Sequence, residues 1–441
     1  MQKSHKVTTA LLSALLAAII AIGLTACGED ADATSDNDYH QANHQANQQP
    51  HATPSPQPTP AQTQNPTPPT QASDARVEYV TILRQRIYTD ATEVSFIFDV
   101  LTDEDAAPLV YLTELTSLNL HSSQLTDISF VSGMTNLEFL NLHDSRIADF
   151  APLAGLTNLL HLSIPFDQNT DFTPISGLTN LEFLSLNGAW SEITFLPNSL
   201  AYLSALTNLT HFSIELLGNQ LTELAPISAL SNLTELNAVN NGINDLSAFI
   251  GAYMPNLWRL SLNWNFIRDL SPLAQAHLPS LHDLMLYDNI INDVTPLATL
   301  TNLRILSIRN NPVGDISPLA ALTNLIALLV SNTNISDISA VSSMTNLSSF
   351  QASDNYISDL SPLAGLSEMR SLDLGNNRIS DITALANLPY LFTLDARHNL
   401  ITDLTPLANL FNWGPSDLWL YGNPITDWSP VDHIEWVFGR P

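Results

Sequence analysis

Two imidazoles and a carboxylate form the most chemically suggestive group in the chain. His121 and His143 lie 22 residues apart, and Asp144 follows the second. Such side chains are zinc-type ligands, but no ligand-spacing motif surrounds them, so the sequence reads as exposed histidines without a metal. Phe139, His161, Phe183 and His211 make a parallel series of rings. Rings offer large contact area at low entropic cost. Two further groups combine the residue types enriched at binding hot spots: Arg259, Trp264, Tyr287 and Arg309, then Arg397, His398, Trp419 and Tyr421. An Asp series runs from Asp127 and Asp149 to Asp403 and Asp427. Calcium takes about six to eight oxygens, and each member of this series offers one carboxylate. A structural role at the start of short helical turns is the better reading. Ser, His and Asp are plentiful, yet no nucleophile elbow, phosphate loop or zinc motif appears. The chain reads as a non-enzyme with no cofactor.

All these residues sit in fixed phase with a 22-residue period. Ile308, Val330, Ala352, Leu374 and Ala396 recur at that interval. Each follows an apolar residue two places earlier (Leu306, Leu328, Phe350, Leu372, Leu394), and Asn or Thr comes three places later (Asn311, Thr333, Asn355, Asn377, Asn399). The alternating Leu-x-Leu step is a short strand with two side chains inward. The Asn amide can bond backbone groups that are otherwise buried and unpaired. The return limb reads Ser271-Pro272, Thr295-Pro296, Ser317-Pro318, Ser361-Pro362, Thr405-Pro406 and Ser429-Pro430, with Ser or Thr expected as N-cap and Pro at the first helical position. About one turn fits, so 3₁₀ pieces are expected. A unit of this size cannot bury its apolar edge alone, so neighbours must stack.

The pattern Leu-x-x-Leu-x-Leu-x-x-Asn-x-Ile-x-Asp-Ile-Ser/Thr-Pro-Leu, carried by Leu303 to Leu319 with Val313 and Gly314 as variants, resembles the 22-residue bacterial leucine-rich repeat of the internalins. The resemblance implies an α/β solenoid: a horseshoe with a parallel concave β-sheet and short 3₁₀ or helical segments on the convex side. Fourteen strands are expected, from Leu118–Leu120 to Leu418–Leu420, with a fifteenth at Phe96–Phe98. The repeats are placed at residues 98–432, an N-terminal cap at 76–97 and a C-terminal cap or tail at 433–441. One spacing, Leu186 to Ile214, is 28 residues, and four are 24. The long unit, with Trp190, Phe195, Pro197 and Tyr202, reads as a longer convex helix in preference to a bulge on the binding face. Ser123, Ser145, Asp167 and Ala189 replace Asn in the early turns, so the N-terminal third should be less regular.

Lys3 and Lys6 precede an uncharged apolar run, Val7 to Leu24, and then Leu24-Thr25-Ala26-Cys27. This is the layout of a secretory signal, and its end resembles the bacterial lipobox, which implies lipid attachment at Cys27. Residues 1–27 are therefore expected to be a lipoprotein signal peptide. Residues 28–75 turn from acidic to Gln, Asn, His and then Pro, and read as a disordered tether. Its His40, His44 and His51 can meet a metal ion in passing, but a solvated spacer is the simpler reading.

Cys27 is the sole cysteine, so no intrachain disulfide is possible and thiol catalysis is excluded elsewhere. The formal net charge is −29, and Lys3 and Lys6 are the only lysines. Such a surface repels phosphate backbones and anionic headgroups, which excludes nucleic acid as a partner. The expected function is that of a monomeric, exported protein, lipid-anchored to the bacterial cell envelope at the outer membrane or cell surface. It would hold a protein or glycan ligand on the concave face, in the manner of an adhesin. The alternative is a periplasmic scaffold that organises envelope proteins; an unrecognised enzyme is the weakest reading. The chain departs from the internalins in its lack of a sortase-type tail, a following immunoglobulin-like domain and a typical internalin cap sequence, so host-cell invasion is not implied.

Overall fold

The structure, a computed structural model, describes residues 78–97, 101–121, 123–166, 170–188, 199–216, 224–410 and 417–440. The expected signal peptide, Cys27 and the tether lie outside the described residues, as do Asp167, Ala189, Trp190, Phe195 and Pro197. No helix among the described residues is long and apolar enough to cross a membrane.

Sixteen strands form one sheet in strict sequence order, from Glu93–Ser95 to Trp436–Phe438. Every neighbouring pair is parallel and in register, so Leu328, Phe350, Leu372 and Leu394 pair in succession. The reason is local. Each Leu-x-Leu strand buries its two apolar side chains, and the return limb adds further buried Leu or Ile, giving one continuous core. Between strands the chain makes 3₁₀ turns, with two short α-helices among the described residues, Asp103–Ala106 and Ser271–Ala274. In front of the sheet, Tyr79–Ile82 and Gln85–Tyr88 pair as an antiparallel hairpin, and Val80 and Ile82 join the core.

The Asn column works as the repeat requires. Asn377 Nδ2 donates to the carbonyls of Ala352, Leu374 and Gly375, and its Oδ1 accepts from the amide of Ile357 (2.9 Å). Asn265, Asn289, Asn311, Asn355, Asn399 and Asn423 repeat the arrangement. Backbone groups of two adjacent units are thereby satisfied inside the core, where an unpaired one is costly. At Thr333 the solution changes. Its Oγ1 donates to the carbonyl of Val330 (2.6 Å), and the amide of Gly314, at φ 73, reaches the carbonyl of Thr333 (2.8 Å).

Three expectations need adjustment. The strand before Leu118 is Glu93–Ser95 and not Phe96–Phe98: Val94 aligns with Leu118, and Val94 and Phe96 are the buried pair. That first unit has 24 residues, because the helix Asp103–Ala106 and the 3₁₀ turn Ala107–Tyr111 follow each other in it. The Ser or Thr of the return limb is not the N-cap. Ser271 and Thr295 are the first residues of their turns, and the capping positions Leu270 and Val294 supply no side-chain bond. The Asp two places before does the capping: Asp269 accepts from both the amide (2.8 Å) and the hydroxyl (3.0 Å) of Ser271. An Asp side chain reaches naturally to the backbone two residues on. The N-terminal third is less regular, as its turn residues imply: His161–Phe166 and Phe183–Gly188 have six residues where most strands have three. Finally, Trp436–Phe438 in the tail pairs with Asp417–Trp419 as the last strand of the sheet.

Candidate functional site on the open face of the sheet

Side chains between and beside the inward pairs form columns on the open face. The column one place before each inward pair reads Ser117, Phe139, His161, Phe183, His211, Glu235, Arg259, Asp283. Register alone brings the four predicted rings together. Phe139 stacks on His161 with centroids 4.4 Å apart, His161 on Phe183 at 3.9 Å and an interplanar angle of 6°, and Phe183 on His211 at 6.1 Å. Burial between the phenyl rings, with His211 nearby, pushes the pKa of His161 down to about 4. Its Nε2 lies 3.4 Å from the Ser163 hydroxyl. The stack ends in a polar contact, His211 Nε2 to Glu235 at 3.4 Å. Ser163, Ser185 and Ser213 line the middle column beside it.

At the other margin of the same strands, the rings of His121 and His143 stack at 5.1 Å. Asp144 lies 3.9 Å from His121 Nε2 and 3.2 Å from His143 Nδ1. Asp144 sits at φ 61, one of a column of left-handed residues that close most strands.

That column separates one of the other two clusters from ordinary exposed aromatics. Its usual occupants are Asn240, Asp288, Asn310, Asn332, Asp354, Asn376 and Gly422, types that tolerate positive φ. Trp264 (φ 57) breaks the rule, while His398 (φ 51) is a type that tolerates the position. A bulky side chain there costs about 1–3 kcal/mol and is kept only where something compensates. Trp264 is 55% exposed, and its ring meets Tyr287 edge-on at 6.3 Å. Arg259 stands apart in the Glu235–Asp283 column, and Arg309 follows Tyr287 one strand on. In the C-terminal cluster Arg397 donates to the Tyr421 hydroxyl (2.8 Å) and lies 3.1 Å from Asp395. His398 packs edge-on to Tyr421, and Trp419 stacks on Phe438 at 5.5 Å. Burial, with Asp373 beside it, pushes Asp395 up to about 6, against the bonds from Arg397. Asp373, Asp395, Glu235 and Phe438 were missed by sequence reasoning. All occupy the columns of residues already singled out, and that phase was the available signal.

The capping Asp residues have no spare chemistry. Bonds from Thr295 hold Asp293 below the usual carboxylate range, and bonds from Thr383 do the same for Asp381. They serve their own turns.

A single parallel sheet with one strand per turn, an Asn ladder inside and 3₁₀ return limbs defines a leucine-rich repeat solenoid. The family model for leucine-rich repeats in two copies matches residues 113–158, 279–321, 301–343 and 345–387. An internalin of Listeria monocytogenes (InlF) is 31% identical over 78% of this chain and 91% of its own, with a TM-score of 0.57. The chain belongs to the internalin type of the leucine-rich repeat family. A leucine-rich repeat protein of Leptospira interrogans shares the fold at 22% identity, over 79% of this chain and 90% of its own, with a TM-score of 0.66. No protein of curated function matches the sequence.

Proposed function

We propose that this is a binding protein of the cell envelope, lipid-anchored through Cys27, which holds a protein ligand on the open face of its sheet. The Phe139–His161–Phe183–His211 stack is the anchor. The observation that carries the reading is the stack itself: four rings in contact on four consecutive strands of a polar face. Stacking also narrows the ligand. A sugar needs a free ring face, and His161 has both faces covered by Phe139 and Phe183. Along the middle of the stack this leaves ring edges beside the serine column, which suit side chains and backbone amides of a protein. The strained Trp264 is a second contact further along the same face.

The test is photo-crosslinking in cells from the full chain, with the reactive residue at Phe139 or Phe183 and, as control, at Thr299 on the return limb. The expected result is one protein species captured from the face and none from the control. Equal capture from both places, or none from the face, overturns the reading. Protease treatment of intact cells then separates two settings: digestion of the repeats fits a surface ligand, and protection fits a periplasmic scaffold.

A further inference from the structure

The pair of consecutive units that carry Asn119-Leu120-His121 and Asn141-Leu142-His143 builds a second kind of site at the margin of the face. The ligand-capable atoms of His121, His143 and Asp144 all lie within 4.8 Å of one another. In a tetrahedral zinc site, bonds of about 2.0–2.1 Å place ligand atoms roughly 3.3 Å apart. His143 Nδ1 and Asp144 Oδ1 are already at 3.2 Å, and His121 Nε2 to Asp144 Oδ2 is 3.9 Å. Small side-chain rotations close the remainder.

Three observations point to a cation. The His143 Nδ1 is buried and makes no hydrogen bond, so its approach to the carboxylate lacks the geometry that would satisfy it. The supports are in place as well. Asn119 Oδ1 accepts from the His121 amide and Asn141 Oδ1 from the His143 amide, and Asn187 Nδ2 donates to Asp144 Oδ1 (3.4 Å). The Asn187 bond to Asp144 is an outer partner of the kind that orients a metal ligand, and the two other Asn bonds fix the backbone that carries the imidazoles. The strongly negative chain concentrates cations around it.

We propose that His121, His143 and Asp144 bind a first-row divalent cation of the zinc class, with a fourth position open to water or to a ligand group. Two nitrogens exclude calcium and magnesium, which take oxygen sets. The site stands independently of the aromatic stack.

The probe is Co²⁺ titrated into the chelator-treated full chain, read by visible d–d absorption and by bound-metal stoichiometry, with Zn²⁺ as competitor. The expected result is one equivalent that Zn²⁺ displaces. His143→Gln and Asp144→Asn should each weaken it by more than the ~10–100-fold typical of losing an outer partner. Asn is at home at positive φ, so Asp144→Asn tests the ligand without disturbing the turn. A triple Gln variant of His40, His44 and His51 should keep the signal. Retention of the signal in His143→Gln and Asp144→Asn, its loss in the triple variant, or no bound equivalent at all overturns the proposal.

Discussion

Replacing His161 by Phe should remove a pH dependence that the stack builds into the fold. In the folded chain His161 has a pKa of about 4 against an ordinary 6.5, from burial first and the charge of His211 second. The folded pKa is lowered, so between those values the unfolded chain takes up a proton that the folded chain refuses. The stability is intact above the unfolded value and is lost as pH falls through the window toward the folded one. At about pH 5, integrating this linkage gives a loss of about 2 kcal/mol relative to about pH 7. Cation–π attraction between an imidazolium and the phenyl faces changes this little, because His161 stays mostly neutral in the folded chain at about pH 5, and the correction is only about a few tenths of a kcal/mol. A phenyl ring keeps the stack with Phe139 and Phe183 and gives up only the Ser163 contact. The assay is urea unfolding of both proteins at about pH 7 and about pH 5, compared as a double difference so that the other titrating groups cancel. Wild type should lose about 1–2 kcal/mol more than His161→Phe on acidification. A double difference below about 0.5 kcal/mol, near the error of the extrapolation, would refute the account of His161 as a neutral ring held in the stack.

Two further substitutions probe the scaffold and the display residues. Asn377→Ala strips the Ile357 amide of its acceptor and the Ala352 carbonyl of a donor inside the core, and should cost about 3 kcal/mol in urea unfolding; a loss under about 1 kcal/mol would mean that water takes over the ladder. Trp264→Gly removes a large side chain, yet relief of the strain at φ 57 offsets the lost edge contact with Tyr287. Its stability should stay within about 1 kcal/mol of wild type, and a loss above about 2 kcal/mol would make Trp264 a packing residue and not a displayed one.

The fold was legible because solenoid periodicity converts sequence distance directly into spatial neighbourhood. Leu306 and Leu328 had to pair once the period was known, and so did Phe139 and His161. The same rule explains why no motif announced the His121, His143 and Asp144 group: metal motifs encode spacing within one helix or loop, whereas here 22 residues of intervening chain bring the ligands side by side. Legibility failed where local geometry overrides the period. The register of Val94 and Phe96 depends on how many residues two consecutive helical turns consume. The choice between Asp269 and Ser271 as cap depends on reach, since both residue types cap helices. The positive φ of Trp264 was invisible because its column is read from Asn, Asp and Gly, none of which stands there. Residues 433–441 read as a cap or tail because they carry no full repeat, yet Trp436–Phe438 pairs as one more strand of the sheet.

From Leu286 to Ala396 five successive units keep the 22-residue length, and the strands they join share one register. That stretch separates the Trp264–Tyr287 cluster from the Trp419–Tyr421 cluster. Gaining or losing one unit there would slide the two clusters apart or together by about 4.8 Å without altering either. The middle of the molecule is thus a ruler graduated in whole repeats, and one unit more or fewer resets the span between two contact points on a ligand.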